Sequence, residues 1–378
     1  MQTTPHHSPL DWIALTFVAG VGSRTAAMLI ERFGSPSACF EAPVMALEAA
    51  GLRRESIDAL KSSEARQQAA EQLRKLEAIS GEVITLNDAR YPRLLRETFD
   101  PPILLYSRGD IAQALAQPAL AIVGSRHCST YGRNVAELLG RELAERGITV
   151  VSGLARGIDA AAHQGALAGR GLTVAVMGTG LDTIYPKENR KLAERIAESG
   201  ALLTEFPLES PPLPQHFPFR NRVISGITLG VQVVEGAERS GSLITARMAM
   251  EQGRDVFAVP GNITSAKSFG PNTLIKDGAK LVQTWRDVVE ELPFEIKAAI
   301  LATERPESNP TQLQFDEVAL TEGERAVLAT LREDDATQID ELIARATLSR
   351  GELMSALLTL EMAGRIRQLP GKSFVKKL

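Results

Sequence analysis

The chain contains few of the residues that form disulfide frameworks or metal centres. It has two cysteines, Cys39 and Cys128, and five histidines in 378 residues. The two cysteines fall in regions of different texture, so a disulfide framework and a cysteine-based zinc site are both disfavoured, and a reducing compartment is expected. No apolar run approaches membrane length, and the N-terminus lacks the basic and apolar regions of a signal peptide. These absences predict a cytoplasmic protein without membrane insertion.

Several catalytic motifs are also missing. There is no G-x-x-x-x-G-K-[ST] and no H-E-x-x-H, the first glycine turn is not G-x-G-x-x-G, and no Ser/His/Asp set is evident. The sequence therefore predicts no catalytic residue, no cofactor and no metal. The formal net charge of −4 argues against a uniformly basic nucleic-acid coat, although a local basic pocket is compatible with it.

From about Glu82 onwards, short β-rich runs alternate with segments of helix length. The runs are EVITL, PILLYSRGD, ALAIVGS, ITVVSG, TVAVMG, ALLTEF, LGVQVVEG, DVFAVPG and AKLVQT. Apolar strands that alternate with helices predict a doubly wound, mostly parallel α/β sheet of the Rossmann-like type. In such sheets ligands bind beyond the carboxyl ends of the strands, where the glycine- and serine-rich turns of this chain fall.

Changes in hydrophobic pattern and composition along the chain predict four regions. These are a helical domain at 1–80, the Rossmann-like domain at 81–293, a polar, proline-bearing linker at 294–320 and a winged helix at 321–378. In the first, Gly20 and Gly22 lie between two helices as in a helix–hairpin–helix (SAM-like) domain, with Arg24 close behind. That turn either contacts a DNA phosphate or only ends a helix. In the last, Arg365 and Lys372 suit a phosphate backbone, although protein contact or a minor DNA role is favoured.

Four turns are candidate binding loops. Gly124, Ser125 and Arg126 follow a buried strand and precede a helix, whose free backbone N–H groups and dipole favour a phosphate. The other turns contain Ser152 and Gly153, then Lys187, then Ser240, Gly241 and Ser242. Lys187 is either a phosphate cation or a solvated helix start.

The segment PQHFPFRNRVISGIT at 214–228 interleaves aromatic and cationic residues. Phe217 and Phe219 alternate with His216, Arg220 and Arg222, which offers unpaired bases a stacking surface and phosphates a counter-charge. Alternatively, Phe219 and one arginine belong to the core and to a helix cap.

Three polar residues nearby are interpreted as structural. Asp159 is expected to cap a helix, His163 to be packed or hydrogen-bonded, and Asn221 to fix local backbone.

The motifs VGSR followed by YG, SGLARGIDAAAH, GTGLDTIYP, HFPFRNRVISG, EGAERSGSLITARMA, FAVPG and GPNTLIKDGA run in order over about 82–290. Together they resemble the DNA-processing protein A (DprA/Smf) family. The resemblance implies a Rossmann-like homodimer that binds and shields single-stranded DNA and loads the RecA recombinase in natural transformation. It matches Arg126 to a DNA-contacting arginine and Phe217 to a base-contacting phenylalanine. Some members carry a lysine just upstream of that phenylalanine; here Lys187 or His216 would replace it.

The binding residues predicted from loops and resemblance together are Gly124, Ser125, Arg126, Tyr131, Ser152, Gly153, Lys187, Phe217, Arg220, Arg222, Ser240, Gly241 and Ser242.

Two other function classes are alternatives to single-stranded DNA binding. Nucleotide-processing phosphoribohydrolases have a related fold with a P-G-G-x-G-T turn and a catalytic glutamate. Here the equivalent region reads EGAERSGSLITA, so that turn is missing, although Glu235 offers a carboxylate. A scaffold acting only through protein contacts would leave Arg126 and Phe217 without a purpose.

Overall fold

The computed structural model describes residues 8–303, 320–331, 336–346, 348–362, 364–369 and 371–376. The first part of the chain is helical. Between residues 8 and 81 the helices are α1 (Pro9–Phe17), α2 (Ser23–Phe33), α3 (Pro36–Glu41), α4 (Val44–Glu48), α5 (Arg54–Lys61) and α6 (Glu64–Ala78). The Ser8 and Ser35 hydroxyls cap α1 and α3 by accepting backbone N–H groups. Gly34, at φ 86°, ends α2 in the left-handed conformation that favours glycine.

A mixed sheet follows the helical region. Its strands in the described chain are β1 (Glu82–Thr85), β2 (Leu104–Gly109), β3 (Ala119–Val123), β4 (Thr149–Ser152), β5 (Thr173–Val176), β6 (Gly200–Thr204), β7 (Gly230–Val233), β8 (Asp255–Ala258) and β9 (Lys280–Leu281). Their order is β1-β2-β6-β5-β4-β3-β7-β8-β9. The pairs made by β2 are antiparallel and all others are parallel. The predicted mostly parallel, Rossmann-like sheet is confirmed.

Helices cover both faces of this sheet. They are α7 (Arg93–Arg96), α8 (Ile111–Ala116), α9 (Thr130–Glu145), α10 (Ile158–Ala168), α11 (Arg190–Ser199), α12 (His216–Gly226), α13 (Gly241–Glu251), α14 (Phe269–Lys276) and α15 (Trp285–Val289). On one face, Leu120 and Ile122 of β3 pack against apolar residues of α9 and α10. On the other, Ala121 and Val123 pack towards α12 and α13. Alternate residues of β3 are therefore buried on opposite faces, which explains its uninterrupted apolar sequence.

The strand order reverses beside β3. The chain runs outward from β3 through β4, β5 and β6, and then returns to place β7 on the other side of β3. Loops leaving β3 and β7 diverge at such a switch point and open a crevice at the carboxyl end of the sheet. The crevice therefore lies between the loops after Val123 and Val233.

The helical region docks against the sheet through a shared apolar core. Trp12, Leu15 and Leu76 join one buried cluster with Tyr106 of β2 and Ile196 of α11. The two regions are thus held together by side-chain packing rather than by a free tether.

The last described segments form a winged helix. It contains α17 (Glu322–Thr330), β10 (Thr337–Gln338), α18 (Ile339–Arg345), α19 (Arg350–Met362), β11 (Ile366–Leu369) and β12 (Ser373–Lys376). The strand order is β10-β12-β11, and both pairs are antiparallel. Arg367 of β11 reaches α9, where it contacts Glu137 at 3.3 Å and Asn134 at 3.4 Å.

The first part of the predicted linker at 294–320 is helical in the structure. Residues Phe294–Thr303 form a further helix, α16, with Ile300 buried against the sheet core. The stretch 304–319 lies outside the described residues. No helix in the described chain is long and apolar enough to cross a membrane.

Candidate nucleic-acid interface

A cleft of about 320 Å³ opens at the switch point of the sheet. Its walls are the loop after β3, the first turns of α12 and the N-terminus of α13, and the loop after β4 and the start of α10 complete the lining. Its lining residues are Val123, Gly124, Ser125, Arg126, Ala155, Asp159, Phe217, Pro218, Arg220, Asn221, Ile224, Ala237, Ser240, Gly241, Ser242, Ile244 and Thr245. The structure thus brings together eight of the predicted residues: Gly124, Ser125, Arg126, Phe217, Arg220, Ser240, Gly241 and Ser242.

The loop after β3 is held in place from both sides. The Ser125 N–H donates to the Glu235 carbonyl at 2.8 Å, and the Ile158 N–H donates to the Ser125 carbonyl at 3.2 Å. A Cβ at Gly124 would collide with Ile158 and with the Glu235 backbone. Gly157, at φ 75°, lies so close to Ser125 that a side chain there would meet its carbonyl. These contacts fix where Arg126 leaves the backbone.

Arg126 and Phe217 meet at the mouth of the cleft. The Arg126 Cζ lies 4.9 Å from the centroid of the Phe217 ring, within the range of a cation–π contact. Phe217 also lies 6.0 Å, centroid to centroid, from Tyr185. Arg126 is exposed and Phe217 half-buried. A nucleic-acid strand bound in the cleft would therefore contact a cation and an aromatic ring side by side.

Arg220 forms the floor beneath that ring and is 4 % exposed. Its Nη1 donates to the Gly153 and Val176 carbonyls, the latter at 2.9 Å. Burial lowers the Arg220 pKa to about 10, so the guanidinium remains charged at neutral pH; the negative charge of Asp159 opposes the shift. Its Nε has no hydrogen-bond partner in the described chain.

Asp159 braces the loop after β4. Its Oδ2 accepts the Gly153 N–H at 3.2 Å and the Ala155 N–H at 3.4 Å. Burial raises the Asp159 pKa, although the positive charge of Arg220 works in the opposite direction. Asp159 therefore has a structural role, but the predicted helix cap is wrong: Gly157 is the N-cap of α10, and Asp159 instead holds the loop beneath the cleft.

The far wall is the N-terminus of α13. The Ser240 and Ser242 hydroxyl oxygens lie 2.6 Å apart, and no side chain caps the first turn of the helix. Free N–H groups and the positive end of the helix dipole therefore face a cleft that already contains two arginines. A phosphate suits this arrangement.

Five predicted residues do not line the cleft. The Tyr131 hydroxyl donates to the Pro260 carbonyl at 3.1 Å, and the fully buried Ser152 hydroxyl donates to the Ile122 carbonyl at 2.6 Å. Arg222 donates to the Asp100 carbonyl and pairs with Glu205. Gly153 lies behind the Arg220 guanidinium, and Lys187 lies in a neighbouring groove.

Two further polar residues, Asn221 and Thr245, line the cleft. Asn221, expected to fix backbone, borders the cleft, and its side-chain amide makes no hydrogen bond to any described residue. Thr245 lies one turn into α13. A signal existed for Asn221: residues 217, 221 and 224 share one face of a helix, whereas 219 and 222 fall elsewhere.

The possible DNA contacts of the helical region, Gly20, Gly22 and Arg24, lie apart from the cleft. Gly20, at φ 76°, and Gly22 form the turn between α1 and α2, and a Cβ at Gly20 would collide with Ser56. The Arg24 guanidinium lies 4.6 Å from the ring centroid of Phe99.

The winged-helix candidates are likewise separate. Lys372 lies between β11 and β12 at φ 55°, and Arg365 precedes β11.

Other site classes gain no support from the geometry. Among the described residues, no three His, Cys, Asp or Glu side chains are grouped so that they could hold a metal ion. Glu235 is 3 % exposed, and its carboxylate accepts the Ser129 N–H at 2.8 Å and the Ser129 hydroxyl. Its two oxygens thus hold the residue that caps α9.

Comparison with known proteins gives consistent matches. The family model described as DNA recombination-mediator protein A matches residues 82–293, and that of the DprA winged helix domain matches residues 311–372. Protein Smf of Escherichia coli is 44% identical over 301 residues, which cover 78% of each chain.

Two solved structures are also similar. The X-ray structure of DNA processing protein A from Streptococcus pneumoniae aligns with a TM-score of 0.68 at 37% identity, covering 76% of this chain and 99% of that one. A Helicobacter pylori structure, described as giving insight into the single-stranded DNA binding mode of DNA processing protein A, aligns with a TM-score of 0.50 at 31% identity. The alignment covers 55% of this chain and 94% of the Helicobacter pylori chain.

Proposed function

The chain belongs to the DNA recombination-mediator protein A (DprA/Smf) family, and on this basis we propose that it binds single-stranded DNA as a recombination mediator. The observation that carries this proposal is the contact between Arg126 and Phe217 at the mouth of the switch-point cleft. Phe217 offers a base a stacking surface, and Arg126, supported by the buried charge of Arg220, offers a phosphate a counter-ion. Duplex DNA should bind less well because its bases are already stacked.

The direct test measures fluorescence anisotropy with labelled single-stranded DNA, the matching duplex and mononucleotides. We expect the single strand to bind most tightly, with an affinity that falls as salt rises. Equal affinity for duplex, or preference for a mononucleotide, would contradict the proposal.

We propose further that binding, rather than catalysis, is the role of this cleft. Glu235, the carboxylate that a phosphoribohydrolase would need, is buried and bonded to Ser129. Incubation with nucleoside monophosphates should therefore release no free base; release that is abolished by Glu235→Gln would favour the enzymatic alternative.

A homodimer through the Rossmann-like domain is part of the proposal. Large apolar side chains are exposed on α13, on α14 and on the loop between β8 and α14: Met250, Ile263 and Phe269, the second of them 92 % exposed. A second copy of the same surface would cover them and would place two clefts on one strand, which raises the apparent affinity without new contacts. A monomer at micromolar concentration with undiminished DNA binding would refute this.

We propose RecA as the protein partner and natural transformation as the process, with DNA entering the cytoplasm as the ligand. Membership of a family of DNA recombination mediators supports a recombinase as the partner. The free cysteines Cys39 and Cys128 suit a reducing compartment. Strand exchange by RecA on protein-coated single strands should accelerate with this chain and not with its Arg126→Ala variant.

A further inference from the structure

A second open groove lies between the helical region and the Rossmann-like domain. Its volume is about 640 Å³, larger than that of the switch-point cleft. Its lining includes the charged residues Arg108, Asp182, Lys187, Arg190 and Glu194 and the apolar residues Ile79 and Ile184. Among these residues, only Lys187 was predicted to bind DNA. The proposed function therefore gives the rest of the groove no role.

The groove adjoins the switch-point cleft through one short segment. Tyr185 and Pro186 line a smaller pocket beside the cleft, which shares Arg126, Phe217 and Arg220 with it. The residues on either side of them, Ile184 and Lys187, line the groove. A ligand that leaves Phe217 thus meets the Tyr185 ring, which is 44 % exposed, before it reaches the groove.

The cations of the groove are available to a ligand. Arg108 extends from the end of β2 and is half-buried, and its guanidinium forms no hydrogen bond or ion pair with the described residues. Lys187 is exposed and makes no side-chain contact of either kind there. A half-buried guanidinium without a partner has lost part of its hydration, so an anion in contact with it would restore what burial removes.

The acidic groups of the groove are largely occupied. The Asp182 Oδ1 accepts the Glu209 N–H at 2.8 Å. Glu194 pairs with Arg190 at 3.5 Å on the same helix. Arg108, Lys187 and Arg190 together outweigh the two carboxylates, so the lining of the groove has a net positive charge.

From this geometry we infer that the groove is a second phosphate site for the same strand, which rests on the proposed binding of single-stranded DNA. The strand leaves Phe217, stacks a further base on Tyr185 and places a phosphate between Arg108 and Lys187. An extended polyanion fits better than a small free anion, because an aromatic ring and the apolar residues Ile79 and Ile184 border the path.

Oligonucleotide length separates this second site from the first. Oligothymidylates of about 4 and about 16 nucleotides span the site sizes known for single-strand-binding folds, so the short one should occupy the cleft alone. Arg108→Ala should leave binding of the short strand unchanged. With the long strand it should weaken binding about fourfold at roughly 0.15 M salt and lower the salt slope by about 0.7, the value for one lost phosphate contact.

Two further variants make the test specific. Tyr185→Ala should weaken binding of the long strand about fivefold or more without changing its salt slope, because stacking involves no counter-ion. Arg195→Ala is the matched control: it removes an exposed arginine from α11 that does not line the groove. Arg108→Lys should restore the slope, which separates loss of charge from misfolding.

The outcomes distinguish the two proposals. If the wild-type chain binds neither oligonucleotide, the proposed function fails. If it binds both, and Arg108→Ala and Tyr185→Ala match Arg195→Ala at both lengths, the second site is refuted while the first stands. Loss at both lengths alike would also refute it, because the residues would then act at the cleft. Competition by inorganic phosphate against the long strand alone would identify a small-anion site instead.

Discussion

Replacing Arg126 and Phe217 by alanine, singly and together, tests the centre of the cleft. The two side chains have different expected roles, one neutralising a phosphate and the other stacking on a base. They also touch: the guanidinium carbon lies 4.9 Å from the ring centroid. Since the ring restricts the position of the guanidinium, loss of the ring should also loosen the cation, and the two effects should be coupled.

The expected magnitudes follow from this geometry. Arg126→Ala should weaken binding to every single-stranded sequence alike and lower the salt slope by about 0.7. Phe217→Ala should cost about 1–3 kcal/mol and leave the slope unchanged. The double variant should lose about 0.5–1 kcal/mol less than the sum, the value of an exposed cation–π contact.

Fluorescence anisotropy with an oligothymidylate at several salt concentrations measures all three quantities. Phe219→Ala is the control, because Phe219 is on the same helix and exposed but does not line the cleft. Circular dichroism should show an intact fold in each variant, since both side chains lie at the mouth of the cleft. An equal fall of the salt slope in both single variants, or strict additivity, would refute the assigned roles.

Three other perturbations have defined outcomes. Arg220→Met leaves the Gly153 and Val176 carbonyls without this donor and should destabilise the fold by about 1–3 kcal/mol per carbonyl in urea unfolding. Adding Asp159→Asn should restore part of the loss, because the charge of Arg220 also offsets that of the buried Asp159. Burial lowers the pKa of His163 from 6.5 to about 3, so the unfolded state takes up the proton first. Stability should therefore be full above pH 6.5 and fall as the pH approaches 3, and His163→Asn should flatten this loss in unfolding titrations. Deletion of 321–378 should leave single-strand affinity within several-fold in anisotropy, whereas a loss of about a hundredfold would make the winged helix a primary site.

Local sequence determined the strands and where the binding turns begin. Apolar runs that stop at Gly124, Gly153, Gly178 and Gly236 predicted buried parallel strands followed by tight turns, and each of these turns follows a strand of the sheet. Such features depend on neighbouring residues, through propensity and backbone freedom, so a single sequence reveals them. The general position of the cleft followed, because parallel strands bring their carboxyl ends to one edge.

Only the tertiary structure decided which cations face the ligand. Arg220 and Arg222 are two residues apart, yet one forms the floor of the cleft and the other binds Glu205 and the carbonyl of Asp100. Lys187 faces a groove whose other wall comes from the helical region. The direction of a long charged side chain depends on the rotation of its helix and on partners distant in the sequence. Composition and spacing do not specify those partners, because packing of the whole chain brings them together.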